Sequence, residues 1–117
     1  NSLVRSELSK TEIPITLISV DEFVRERGLN VSCIKIDVEG AELDVLIGAR
    51  EVFTTQRPTA RLGLHPIFIE KNGQSLGEIW DLVAEYKLDM DFDGTRPTRE
   101  WFTSQTDLFD VNLIPSI

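Results

Sequence analysis

The chain carries short apolar blocks whose internal spacing changes repeatedly from that of a strand to that of a helix. A short apolar, β-branched run predicts a strand over residues 13–18, and further strands are expected over 31–38, 59–65, 89–92 and 108–113. Apolar residues at helical spacing predict helices in the intervals. This alternation is typical of an α/β domain with a mostly parallel sheet, and the last two strands are expected to form an antiparallel hairpin.

The predicted helices have start and stop signals at their ends. Residues 19–22 (SVDE) and 75–78 (SLGE) predict capping boxes, in which a serine and a glutamate satisfy the first free N–H groups of a helix. Gly28 is expected to end the first helix, and the second is expected over residues 41–53. The apolar faces of the second and third helices comprise Leu43, Leu46, Ile47 and Phe53, and Leu76, Ile79, Trp80, Val83 and Tyr86.

Three segments are expected to be loops. Residues 1–12 are polar and show no periodicity, and Pro66 is expected to end the third strand before a loop that contains an Asn-Gly pair. The polar stretch 93–107 contains Trp101 and Phe102. These two aromatic residues either line an acceptor pocket or hold the loop against the core.

Composition and charge narrow the possible partners. A chain of 117 residues is expected to be one domain over residues 1–117, and its net charge of -8 argues against nucleic-acid binding. One cysteine and one histidine exclude an internal disulfide and a Cys/His zinc site. Cys33 lies in an apolar run and is expected to be buried. No apolar run reaches the roughly 20 residues of a membrane span, and no signal peptide is visible, so we expect a cytoplasmic protein.

Ionisable residues follow two of the predicted strands. The segment 33–42 (CIKIDVEGAE) places Asp37 after one strand, and His65 ends the next. Ligands of open α/β sheets bind at the carboxyl ends of the strands, so these residues mark a candidate site. Asp37 is expected either to orient or deprotonate an acceptor hydroxyl or to cap the following helix. His65 is a second candidate base, with a structural hydrogen bond as the alternative.

Three further charged residues lie in the same segment. Glu39 can bind a divalent cation together with Asp37 or simply place favourable charge before a helix, and we assign no metal site. Glu42 lies in the first helical turn, where an acidic residue is expected. Lys35 shares a strand face with Asp37 and is expected to pair with a carboxylate, with a catalytic role as the alternative.

This segment resembles the FkbM family of methyltransferases. Residues 34–42, together with Val45-Leu46 and Gly48-Ala49, agree with the family in order and spacing, as do residues 15–23 upstream and 57–66 downstream. The resemblance implies S-adenosylmethionine-dependent methyl transfer to a hydroxyl of a sugar or natural product. It also implies a Rossmann-like class I methyltransferase sheet.

The resemblance assigns roles to four residues. Catalysis would fall to Asp37, His65 and Lys35, and cofactor contacts to Asp37 and Glu39. The sequence shows no Gly-x-Gly turn for the cofactor, so we expect the chain to hold the C-terminal half of the catalytic domain and to be inactive alone. Gly63 stands where the family tends to have a glutamate, so one strand-end carboxylate is missing.

Two other functions stay open beside the methyltransferase. The strand that ends at Asp37 would lack one neighbour, and an exposed strand edge predicts a non-catalytic module that dimerises or binds a protein partner. A phosphoacceptor receiver domain also fits the length and acidity. That function lacks support, because the chain has neither paired acidic residues after a first strand nor a late strand-end lysine.

Overall fold

In the part of the chain that the structure describes, the strands form two sheets. A computed structural model describes residues 2–5 and 14–117. In chain order the elements are β1 (Ser2–Arg5), β2 (Pro14–Leu17), α1 (Val20–Arg27), β3 (Cys33–Ile36), α2 (Glu42–Ile47), a π-helical segment (Val52–Gln56), β4 (Thr59–Leu64), α3 (Pro66–Lys71), α4 (Leu76–Glu85), β5 (Leu88–Asp91), α5 (Arg99–Thr103) and β6 (Phe109–Pro115).

The larger sheet has four strands in the order β3-β4-β6-β5. β3 and β4 are parallel, whereas β6 runs antiparallel to both of its neighbours, β4 and β5. The sheet is therefore mixed rather than mostly parallel, because the last strand returns and inserts between two strands that run the same way. The expected antiparallel pairing of the last two strands is confirmed.

One face of this sheet forms the core together with α2 and α4, and the other face is polar. On the polar face, Lys35 and Arg61 are exposed, and the Arg61 guanidinium binds Asn112 Oδ1 at 3.1 Å and Asp110 Oδ2 at 3.3 Å. A sheet with antiparallel pairs tolerates such a solvated face. The side chains buried in the core include Leu46, Phe53, Leu62, Leu64, Ile79, Tyr86, Phe102, Val111 and Leu113.

Tyr86 connects the end of α4 to α2. Its hydroxyl donates a 2.7 Å hydrogen bond to the Leu46 carbonyl oxygen, and its ring stacks on Phe53 with centroids 5.8 Å apart. Burial disfavours the phenolate and raises the pKa of Tyr86 to about 12. The Leu46 carbonyl oxygen also accepts a 3.2 Å hydrogen bond from the backbone N–H of Ala49, so the tyrosine is a further donor to it.

The start and stop signals of the helices are largely confirmed. Ser19 accepts a hydrogen bond from the backbone N–H of Glu22, and α1 ends at Gly28 in the left-handed conformation with φ 61°. The capping box of Ser75 and Glu78 is present in full. Because these signals act within one turn of chain, they operate independently of tertiary packing.

The helix expected over residues 41–53 is interrupted. α2 ends at Ile47, which is exposed rather than part of the apolar face, and a new helical segment begins after a turn. Asp21 explains the restart, because its carboxylate accepts 2.9 Å hydrogen bonds from the backbone N–H groups of Glu51 and Val52. A long-range cap therefore begins a second segment where the periodicity predicted one helix.

Three other local predictions are wrong. Residues 2–5 form β1, which pairs with β2 in a hairpin, whereas residues 6–12 of the expected loop lie outside the described residues. Pro66 does not simply end a strand but begins α3, since proline suits the first position of a helix. Cys33 is exposed, because β3 is an edge strand among the described residues.

The polar insertion after β5 is held to the core by its aromatic residues. Phe102 is completely buried and its ring centroid lies 5.4 Å from that of Trp80. Trp101 packs on Phe92 and Phe109, with centroid distances of 4.7 and 5.7 Å. A buried Phe102 cannot line an open pocket, so the alternative of an anchored loop holds for this residue.

Candidate functional site

Asp37 and His65 meet at the carboxyl ends of β3 and β4. The two strands are parallel neighbours, with Ile36 beside Leu62, so the residues that follow them reach the same edge. His65 Nε2 lies 3.8 Å from Asp37 Oδ1. The His65 side chain is only 12% exposed, whereas that of Asp37 is 61% exposed. The edge therefore presents a sheltered imidazole beside a solvated carboxylate.

Glu42, at the start of α2, is the third ionisable residue of the cluster with Asp37 and His65. Its side chain is fully buried, and Oε2 lies 2.8 Å from the backbone nitrogen and 3.0 Å from the Nδ1 atom of His65. Oε1 has no hydrogen-bond partner among the described residues. A buried carboxylate is costly unless it is paired, and among the described residues both polar contacts of Glu42 are with His65.

The role of Glu42 was missed because the sequence suggested only a favourable charge at a helix start. A periodicity signal was present. Glu42, Leu46 and Ala49 are spaced by four and three residues, and all three are completely buried on one face of the helical region. An acidic residue on the same helix face as core residues is expected to be buried. It therefore predicts a buried partner that is positively charged or donates a hydrogen bond.

At two positions near the site, Gly63 and Gly40, neighbouring atoms lie too close for a side chain to fit easily. A Cβ atom at Gly63 would lie 3.1 Å from Asp110 Oδ1 and 3.2 Å from Asp37 Oδ1. Gly40 has φ 93°, and its carbonyl oxygen accepts a 2.9 Å hydrogen bond from Asn72 Nδ2 at the end of α3. The hydrogen bond from Asn72 holds the loop that carries Asp37 against the end of α3, and Gly63 leaves room for the two carboxylates.

Comparison with known proteins identifies the family. Residues 1–101 match the sequence profile of the methyltransferase FkbM domain, which covers most of the chain. The chain belongs to the FkbM methyltransferase family. No curated protein and no solved structure gives a significant match to it. Among the described residues of this FkbM-family chain, no helix is long and apolar enough to cross a membrane.

The other two residues proposed from the sequence, Glu39 and Lys35, are exposed. Glu39 is exposed in the loop of the FkbM motif, and the helix cap position is occupied by Ala41, so Asp37 is not an N-cap. Lys35 is exposed on the polar face of the sheet, so the burial cost that led us to expect a partner does not arise. No group of three or more potential metal-binding side chains occurs in residues 2–5 and 14–117.

An apolar cavity of about 170 Å³ lies beside the histidine of this FkbM-family chain. It is open to solvent, and three exposed apolar side chains, Ile67, Phe68 and Leu108, form much of its wall. His65 contributes to the same cavity, with its ring centroid 6.3 Å from that of Phe68. The arrangement could hold an apolar group next to the imidazole.

Proposed function

We propose that this chain forms the acceptor side of an S-adenosylmethionine-dependent O-methyltransferase domain with a Rossmann-like class I sheet. The observation that carries the proposal is the His65 imidazole held between Glu42 and Asp37 at the carboxyl edge of parallel strands. Family membership supports methyl transfer, and this edge is where open α/β sheets bind their ligands. The acceptor is proposed to be a hydroxyl of a small molecule or glycan.

The roles proposed for His65 and Asp37 follow from the exposed fractions of their side chains. His65 is sheltered and has one ring nitrogen on the open side, so it accepts the proton of the acceptor hydroxyl. Imidazole is the side chain best suited to take a proton near neutral pH. Asp37 is largely solvated, so its carboxylate orients the acceptor by hydrogen bonding. Lys35 has no part in this scheme, because it lies within β3 and not in the segment after the strand end.

The proposed cofactor suits the carboxylates at this edge. The exposed Asp37 and Glu39 side chains have oxygen atoms free to face the ammonium group, the sulfonium charge or the ribose hydroxyls of S-adenosylmethionine. When bound, that cofactor supplies an electrophilic methyl group. The contribution of this chain is then to place and deprotonate the attacking oxygen, an effect worth roughly 10²–10⁴-fold for the base alone.

Calorimetric titration with S-adenosylhomocysteine tests the proposal. We expect weak or no binding to the 117-residue chain and clear binding to a form extended at its N terminus. In the extended form, Asp37→Asn should weaken binding, whereas Lys35→Gln, at an exposed position on the polar face, should leave it unchanged. If neither form binds the ligand, the methyltransferase proposal for this site is wrong.

A second candidate function rests on the edge position of β3. Among the described residues, its outer edge has no partner strand, and such edges pair readily with another chain. The chain would then be a non-catalytic module that dimerises or binds a protein partner. Sedimentation velocity over a wide concentration range tests this function, since a constant monomeric coefficient contradicts self-association through β3.

A further inference from the structure

We propose that Glu42 is a positioning residue that holds His65 in the tautomer with hydrogen on Nδ1, so that Nε2 carries the free lone pair. The inference rests on the proposed function only for the use made of Nε2. The geometry of the buried pair is independent of the reaction, and so is its test. Glu42 lies outside the set of residues that the family resemblance assigned to catalysis or to the cofactor.

One oxygen atom of Glu42 makes both of the contacts on which the tautomer of His65 depends. Glu42 Oε2 lies 2.8 Å from the backbone nitrogen of His65, which can only donate. The same oxygen lies 3.0 Å from Nδ1. A carboxylate oxygen has no hydrogen of its own and can only accept hydrogen bonds. Nδ1 must then carry the hydrogen of the second bond.

The other oxygen of Glu42 leaves this assignment unchanged. Oε1 is buried and has no hydrogen-bond partner among the described residues. Within this part of the chain, both hydrogen bonds to the buried carboxylate therefore end on Oε2. An Nδ1 atom without hydrogen would place its lone pair 3.0 Å from that charge, which is repulsive.

This tautomer leaves a free lone pair on Nε2, the ring nitrogen of His65 that lies on the side of Asp37. Nε2 lies 3.8 Å from Asp37 Oδ1, which is beyond hydrogen-bond distance, so this carboxylate does not hold a hydrogen on Nε2. The ring orientation is tied to the backbone, because one oxygen holds both the ring and the backbone N–H of His65. Glu42 thereby presents Nε2 to an acceptor hydroxyl in a prepared orientation.

Nitrogen-15 NMR of the imidazole ring tests the inference. His65 is the one histidine in the chain, so its two ring nitrogens need no assignment among residues. On the alkaline side of the ring titration we expect the Nδ1–H tautomer, whereas free histidine prefers Nε2–H. A wild-type spectrum that shows the Nε2–H tautomer overturns the proposal without any variant.

Two variants separate positioning from a merely structural role. Glu42→Met keeps the side-chain volume but removes the acceptor, so the ring should shift to the Nε2–H tautomer. Asp37→Asn is the matched control, because it alters the other carboxylate near the ring and should leave the tautomer unchanged. Persistence of Nδ1–H in Glu42→Met contradicts the proposal. If that variant does not fold, the wild-type spectrum decides alone.

The outcome is distinguishable from failure of the proposed function. An Nδ1–H tautomer in a protein that binds no S-adenosylhomocysteine in any form would support the role of Glu42 and refute methyl transfer. An Nε2–H tautomer in a protein that does bind the ligand would do the reverse. Each result therefore bears on one of the two proposals.

Discussion

Replacing His65 by alanine should destabilise the fold through Glu42 rather than through lost packing. In the variant, the backbone N–H of residue 65 is the one partner left to the buried Glu42 carboxylate among the described residues. Removing one partner of a buried pair costs about 3–5 kcal/mol. A domain of 117 residues has a free energy of unfolding of about 6–18 kcal/mol. The variant should therefore fold, with a clearly lower urea midpoint.

Urea denaturation followed by circular dichroism measures this loss, and two further variants show its origin. Asp37→Ala removes the solvated carboxylate on the other side of the ring and should change the free energy of unfolding by less than about 1 kcal/mol. Adding Glu42→Met to His65→Ala removes the unpaired charge and should recover part of the stability. A loss below about 1 kcal/mol for His65→Ala would refute the reasoning, since it would mean that the carboxylate needs no partner.

Three other perturbations test the surroundings of the site. Tyr86, the one tyrosine, has its pKa raised from about 10 to about 12, so its stabilisation is complete below pH 10 and about 2–3 kcal/mol is lost as the pH rises to 12. Comparing alkaline denaturation of wild type and Tyr86→Phe checks this, and equal pH profiles contradict it. Gly40→Ala should cost more stability than Gly73→Ala: both have positive φ, but only the first Cβ meets atoms, at 2.7 Å from Asn72 Nδ2. Equal thermal midpoints for these two variants would argue against the close contact. Phe102→Ala should cost about 3–5 kcal/mol by leaving a cavity, whereas no loss of urea stability would mean that the insertion is not anchored.

The short-range features of this protein were determined by the sequence itself. Ser19 and Gly28 define the ends of α1, because a cap and a left-handed glycine act on the turn next to them. The strand positions and the parallel pairing of β3 with β4 bring Asp37 and His65 to one edge. That proximity was predictable, since consecutive strand ends of a parallel pair must lie side by side.

Tertiary structure decided the features that depend on distant parts of the chain. The break after α2 arises from Asp21, which lies some thirty residues before the N–H groups that it caps. The exposure of Cys33 follows from the place of β3 at an edge, which periodicity cannot reveal. The pairing of Glu42 with His65 needed the packing of α2 against β4, because a helix-start glutamate looks the same in sequence whether water or an imidazole faces it. Local signals act through neighbouring backbone groups, whereas burial and pairing depend on which elements come together in space.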